Sequence, residues 1–447
     1  MNNGRAMTTD SYDLVILSLF HPKVVSGGAQ QCAYDLFLNL KKYSDLRVCF
    51  IGATSPETSL NTKASAFIRK VPGAEDEFYF FTGSYDYFWH NCVDSRGIKD
   101  LTLFIQNLQP RSVFLSHYMH IGMDLIALLR FALPEVFIAV GLHEMLFACL
   151  ADGQMVKKTN GGLCSSAEPE LCAMCFPHLS ADTFMARKKH NLELMDMADS
   201  FIVPARHLGS VLQKEMGIDG QRIHVINHPI DLERYPAEPP TPMPFSVGEQ
   251  EKMHTPMRFG YFGQFLDNKG IHILLKAGEL LNRSKPERPF QIVINGGNKN
   301  FASGPFQEMV QELIDNSRQW EHGEVIELGG YSHDEIVRRM VGVDVVVVPS
   351  TWPEVFGLVV TEAFACYKPV IAALIGGLAE RVQHGVDGYN FIARDPSDLT
   401  AKMALFLEMG QGRYNQMAEA AHATAEGLNP KRALAEYGVA LALGGQA

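Results

Sequence analysis

The chain has 447 residues, 47% of them hydrophobic and 20% charged, with a formal net charge of −11. That length exceeds what one hydrophobic core usually serves, so two domains are expected, and the acidic balance argues against nucleic acid as a partner. No run approaches the ~20 apolar residues of a membrane span, and the start, MNNGRAMTTDSYD, reads as a loose tail without a signal core, which points to a cytoplasmic location.

Apolar runs of strand length alternate with amphipathic helical stretches, the signature of parallel α/β units. In the first half the spacing predicts strands at Leu14–Phe20, Leu46–Gly52, Ser112–His117, Val136–His143, Ser200–Pro204 and Ile223–Asn227, with helices such as Gln30–Lys42 and Ile121–Leu133 between them. Tyr235 to Pro256 carries six prolines and no periodicity, which is linker composition. Alternation then resumes at Arg258–Gly263, Gln291–Asn295, Val325–Leu328, Val343–Val348, Pro369–Ala373 and Tyr389–Ile392. The helix Gly270–Leu281 places Ile273, Leu274, Ala277, Leu280 and Leu281 at helical spacing against a sheet. The fold class expected is α/β, two doubly wound parallel-sheet domains facing a cleft, with an N-terminal domain at 11–235 and a C-terminal one at 257–429. A C-terminal helix within 430–447 is expected to pack back across the junction. Ligands in such sheets bind beyond the carboxyl ends of strands.

The segment Pro349–Gly377 concentrates the chemistry. Glu354 stands before, and Glu362 within, a helix predicted to start near Phe356 after the apolar strand Val343–Val348. The helix start offers backbone N–H groups and the positive end of its dipole, which suits a diphosphate. A lone exposed Glu on a helix is more often there for solubility, but Pro349, Ser350, Pro353 and Gly357 make a tight loop at a strand end, where ligands bind. Gly27 and Gly28 follow the first strand and permit close backbone approach before the next helix, although a glycine pair equally marks a turn. His143 ends the strand Val136–Val140 in the run GLHE; Glu144 could orient it or simply fill a surface. His117 and His120 end the preceding strand.

Cys149, Cys164, Cys172 and Cys175 are four of the eight cysteines and cluster in a Gly/Pro/Asn-containing segment, with a CxxC at its end. A CxxC lets two thiolates chelate one ion from a single turn, and two more complete a tetrahedron. A structural zinc is the favoured expectation, ahead of free thiols and then an iron–sulfur cluster. Four protein thiolates would leave no open position for catalysis. The basic clusters Lys41–Lys42, Lys157–Lys158 and Arg187–Lys188–Lys189 read as solvated faces, with a weak peripheral touch on an anionic inner membrane face as the alternative.

The pattern Glu354-Val-Phe-Gly-Leu-Val-Val-Thr-Glu362 resembles the E-x7-E signature of glycosyltransferase family 4, retaining enzymes of the GT-B fold. The resemblance extends to Ser26-Gly27-Gly28-Ala29, to Phe262-Gly263-Gln264-Phe265 through Lys269-Gly270, and to Ile375-Gly376-Gly377. Some family members also carry a cysteine-bearing insertion after an HD or HE pair. The resemblance implies two Rossmann-like domains and transfer of a sugar from a nucleoside-diphosphate sugar to a hydroxyl of a glycan or lipid-linked acceptor, in glycan, polysaccharide or glycolipid biosynthesis. It needs no cofactor for catalysis. It implies that Glu354 meets the donor sugar's hydroxyls, Glu362 the ribose, and Lys269 the departing diphosphate. Gly27, Gly28, Gln264, Phe356, Gly357 and Leu358 complete the donor site, and His143 lies beside the reacting carbon. The chain departs from the family at Gln264, where an Arg is usual; a neutral amide cannot replace a guanidinium's charge and paired hydrogen bonds. Either another cation compensates, with Arg206 and Arg381 the candidates, or leaving-group stabilisation rests more on Lys269 and the helix terminus. Asn227-His228-Pro229-Ile230-Asp231 resembles the turn that closes the first domain, with His228 structural. The alternative that Gln264 keeps open is a non-catalytic nucleotide-sugar or glycan-binding scaffold. A dinucleotide-dependent oxidoreductase would need a G-x-G-x-x-G after a strand, and none is found.

Overall fold

The computed structural model describes residues 11–25, 27–54, 67–239 and 255–444. The start of the tail, Ser26 and most of the expected linker lie outside these residues. The chain forms two compact units, one from residues up to His228 together with those from Pro430 onward, the other Pro229–Asn429.

In the first unit the strands are β1 (Leu14–Ser18), β2 (Val48–Thr54), β3 (Ile68–Lys70), β4 (Glu77–Phe81), β5 (Tyr85–Asp86), β6 (Asn91–Cys92), β7 (Ser112–Leu115), β8 (Phe137–Gly141), β9 (Ser200–Val203) and β10 (Ile223–Val225). Eight of them form one sheet in the order β10-β9-β8-β7-β1-β2-β4-β3. All neighbours pair in parallel except β3 with β4. β1, sequence LVILS, is buried at every position, as a central parallel strand covered on both faces must be. The helix Gly28–Tyr43 turns Ala33, Leu36, Phe37 and Leu40 onto the sheet.

The helix Pro430–Ala440 belongs to this unit and packs Leu434 and Tyr437 into its core. Two sheet hydroxyls fasten its end: Ser112 Oγ donates to Leu441 O at 2.6 Å and Ser200 Oγ to Ala440 O at 2.7 Å.

The second unit holds β11 (Met257–Phe262), β12 (Phe290–Asn295), β13 (Gly323–Gly329), β14 (Val345–Val348), β15 (Val370–Ala373) and β16 (Gly388–Phe391). Their order is β13-β12-β11-β14-β15-β16, parallel throughout. β14 is four consecutive buried valines, and β-branched side chains fit such a strand. The helix Ile271–Arg283 buries Ile273, Leu274, Ala277 and Leu281 as its spacing predicts, while Leu280 is only half-buried.

The division falls at His228/Pro229, so residues 229–235 go with the second unit rather than the first. The reason is local: Ile230 lies in the second unit's core and its N–H donates to Leu428 O at 2.9 Å. Among the described residues no helix is long and apolar enough to cross a membrane.

Candidate functional site

In the second unit the chain leaves β11 toward β12 and β13, then returns to lay β14, β15 and β16 on the other side. The switch point is therefore between β11 and β14, and in such sheets ligands bind where the loops after those strands part. Here those loops are laced together before they part. Thr351 N donates to Asn268 O at 2.9 Å, and Thr351 Oγ1 to Asp267 O at 3.1 Å. Gly270 sits at φ +72, and a Cβ there would strike Pro349 O. This close approach brings two residues 85 positions apart into contact: Lys269 Nζ donates to Glu354 Oε1 at 2.6 Å. Ser350 Oγ donates to the same oxygen at 2.7 Å. Glu354 is 8% exposed. Burial alone would raise its pKa, but the Lys269 ammonium and these hydrogen bonds hold it below the usual carboxylate range.

The loop after β15 braces the same site. Gly377 N donates to Glu354 O at 2.5 Å, and a Cβ on either Gly376 or Gly377 would collide with the 353–355 backbone. The glycine pair is thus a steric requirement of the Glu354 loop. The helix predicted near Phe356 begins at Leu358, because Gly357 adopts the left-handed region at φ 82 and caps it. No side chain caps this end. Glu362 consequently lies one turn inside the helix. It is half-buried, and burial pushes its carboxyl up to about 7 against the opposing pull of Arg234. Arg234 was not legible as a partner; it comes from the short turn Leu232–Arg234.

Gln264 is exposed at the end of β11, with its carbonyl accepting from Tyr261 Oη at 2.6 Å. Of the two arginines considered as substitutes for a cation there, Arg206 opens a helix of the first unit. Arg381 is buried, lies 4.3 Å over the Phe356 ring and donates to Thr361 Oγ1 at 3.1 Å. It is built into the wall under Phe356. Among the described residues its buried Nε has no hydrogen-bond partner.

In the first unit the switch point lies between β1 and β7, and the loops after β1, β7 and β8 carry the candidates. Gly27 and Gly28 begin the helix Gly28–Tyr43, which has no side-chain cap. His143 follows β8, half-buried, between two other imidazoles. His117 stacks on it at 5.8 Å and 13°, His228 at 5.4 Å and 8°. Burial and the neighbouring His117 push its pKa down to about 4, leaving a neutral ring near pH 7. Glu144 does not orient His143. Its carboxylate lies 3.3 Å from His117 Nε2 and accepts from Tyr118 Oη at 2.9 Å. Met119 N donates to His117 Nδ1 at 3.1 Å, which places the ring proton on Nε2, facing Glu144. Burial would raise the Glu144 pKa, but His117 and Tyr118 hold it down at about 2.

Arg187 overturns the reading of its basic cluster as a solvated face. It is 2% exposed and donates to the carbonyls of Phe88, Ala148 and Leu146, besides meeting His90 Nε2 at 2.8 Å. With Asn191 Nδ2 on Phe147 O at 3.0 Å it clamps the segment that follows His143 and Glu144.

The four cysteines Cys149, Cys164, Cys172 and Cys175 are half-buried free thiols that line one cavity of about 150 Å³. Among the described residues no group of three or more His, Cys, Asp or Glu side chains stands arranged to hold a metal ion.

Residues 245–424 match the family model described as "Glycosyl transferases group 1". The chain is 28% identical over 240 residues to a D-inositol 3-phosphate glycosyltransferase of Corynebacterium glutamicum (strain R), covering 53% of this chain and 55% of that protein. It is 27% identical over 227 residues to a glycogen synthase of Mycobacterium tuberculosis (strain H37Rv), covering 50% of each. The matches thus span about half the length of these relatives. Among solved structures, Anabaena HepE in complex with UDP superposes with a TM-score of 0.64 at 20% identity, over 96% of this chain and 99% of that one. A sucrose-phosphate synthase from Thermosynechococcus elongatus gives 0.65 at 15% identity, over 95% and 97%. The fold is of the GT-B class, α/β with two Rossmann-like parallel-sheet domains.

Proposed function

We propose that this chain is a retaining glycosyltransferase that moves a sugar from a nucleoside-diphosphate sugar to a hydroxyl of a glycan or lipid-linked acceptor, in glycan, polysaccharide or glycolipid biosynthesis. The observation that carries the reading is the Lys269–Glu354 pair. It lies at the switch point of the second unit, before the helix that starts at Leu358, and within the residues that match the group 1 model.

In this reading the diphosphate lies against the Leu358 helix start and Lys269, and Glu354 turns to the sugar's hydroxyls. Lys269 then exchanges one anion for another, so its charge stays compensated throughout. Glu362 meets the ribose. The acceptor oxygen bonds to the anomeric carbon as the bond from that carbon to the diphosphate oxygen breaks. The acceptor's proton passes to the leaving phosphate, so no side chain need act as a strong base. A neutral His143 suits a place beside the developing positive charge better than an imidazolium would. Charge fixed in advance at Lys269 and the helix start supplies most of the stabilisation. We place the protein in the cytoplasm. Any membrane contact is peripheral, and Lys41 is already paired with Asp76 at 2.9 Å.

Thermal shift against a panel of nucleoside diphosphates and nucleotide sugars tests the reading, since a ligand that binds the folded state raises the melting temperature. One donor should stand out, and transfer or slow hydrolysis of that donor should follow. The second reading, a scaffold that binds the nucleotide sugar without reacting it, is favoured by the exposed neutral Gln264 where a cation would help the leaving group. Binding with neither transfer nor hydrolysis for any donor would support it.

A further inference from the structure

Between β8 and the helix Ala181–Asp196 the chain runs from residue 142 to 180 with one seven-residue helix, Pro169–Cys175, and one isolated antiparallel bridge, Val156–Leu163. So long a stretch with so little regular structure needs another source of order. Its outer ties are visible. Arg187 and Asn191 hold its beginning, Ala167 N donates to Glu215 Oε2 at 3.0 Å, and Lys214 Nζ donates to Ser165 O at 2.6 Å. Its middle closes around a cavity lined by the four thiols together with apolar side chains such as Met155, Leu171 and Phe176.

The four thiols reach the cavity by three local devices. Cys149 ends a turn, its N–H donating to Met145 O at 2.8 Å. Cys164 leaves the bridge, its N–H donating to Met155 O at 2.7 Å. Cys172 and Cys175 stand three apart on the short helix, hence on one face of it. Turn, bridge exit and helix face are separate in sequence and converge on one space, together with Lys157. A disulfide pair would need only two of them, and all four are free.

We propose that Cys149, Cys164, Cys172 and Cys175 bind one zinc ion as a closed tetrathiolate site that orders this insertion. The thiols lose their protons on binding, and the four thiolates fill the coordination sphere, so the ion is structural. Side-chain rotations must draw the sulfurs together, since they do not stand in a ready cluster; Cys164 gives up its contact with Ser166 O at 3.0 Å. Lys157 offsets part of the excess negative charge. The consequence for activity rests on the glycosyltransferase reading: the insertion starts just after His143, so metal loss should lower transfer while nucleotide binding by the second unit persists.

Elemental analysis of the full-length protein, purified without added metal and exchanged into metal-free buffer, tests the site independently of activity. About one zinc per chain is expected, released when a mercurial titrates the thiols, as for a Cys₄ site. Cobalt substitution should give thiolate-to-cobalt charge-transfer absorption. Cys172→Ser should lose the zinc, whereas Cys32→Ser, which lies elsewhere, should keep it. Should Cys172→Ser fail to fold, the wild-type stoichiometry and the cobalt spectrum still decide. Iron with acid-labile sulfide in place of zinc, disulfides among the four cysteines, or four thiols reacting at once in metal-free protein that takes up no zinc would each overturn the proposal.

Discussion

Lys269 and Glu354 form an ion pair of 2.6 Å between the loops that follow β11 and β14, one partner 30% exposed and the other 10% by side chain. Removing the cation leaves a buried carboxylate uncompensated. We expect Lys269→Met to destabilise the fold by about 1–3 kcal/mol, below the cost for a fully enclosed pair because Lys269 reaches solvent. Urea unfolding measures it. The Glu354 pKa is depressed in the folded state, so its contribution is present above its ordinary value of 4.5 and is lost as pH falls through the folded value. The gap between wild type and variant should therefore close in acid.

Glu362 carries the opposite sign. Its folded pKa, raised to about 7 from 4.5, means that the folded state holds its proton more tightly than the unfolded chain. The penalty is absent below 4.5, grows across the interval and is complete above 7. Glu362→Gln should raise the melting temperature at pH 8 and leave it unchanged at pH 4. A melting series across pH decides this; equal effects at both ends would mean that the carboxyl is not held out of water.

Gly270 and Gly304 make a matched pair of substitutions. At Gly270 the backbone is left-handed and a Cβ meets Pro349 O, whereas at Gly304 a Cβ meets nothing. Gly270→Ala should cost about 2 kcal/mol or more and weaken donor binding, because it forces apart the loops that join Lys269 to Glu354. Gly304→Ala should stay within about 0.5 kcal/mol of wild type. Chemical denaturation with nucleotide titration reads both.

Arg187→Met should be costly, by about 3 kcal/mol, because the buried carbonyl of Leu146 and the half-buried carbonyls of Phe88 and Ala148 lose a charged donor together. Mild proteolysis should cut within residues 142–180 of the variant first. Nucleotide-induced stabilisation of the second unit should survive.

Most of the sheet framework was legible because buried parallel strands are written as unbroken apolar runs, such as LVILS at β1 and the valines of β14. The edge β3, three residues long, and the hairpin β5–β6, two residues a side, carry no period to detect. β4, with EFYFF, does carry an aromatic-rich run that suits a strand. Site residues were legible singly, since glycines and carboxylates at strand ends mark ligand loops. Their partnerships were not. That Lys269 meets Glu354 depends on β11 lying beside β14, a fact of strand order that no local pattern encodes. Arg187 shows the same limit from the other side: inside the run Arg187–Lys188–Lys189 it looks like surface, and only the carbonyls that converge on it from Phe88, Leu146 and Ala148 make it interior.

The central claim is that a nucleotide sugar occupies the crevice at Lys269 and Glu354, and a structure with the best-stabilising donor or its nucleoside diphosphate tests it most directly. The account predicts the diphosphate within hydrogen-bond reach of Lys269 Nζ and the N–H groups at Leu358, with Glu354 turned to the sugar. A nucleotide bound away from these groups, with Lys269 and Glu354 still joined to each other as in the free protein, would contradict it.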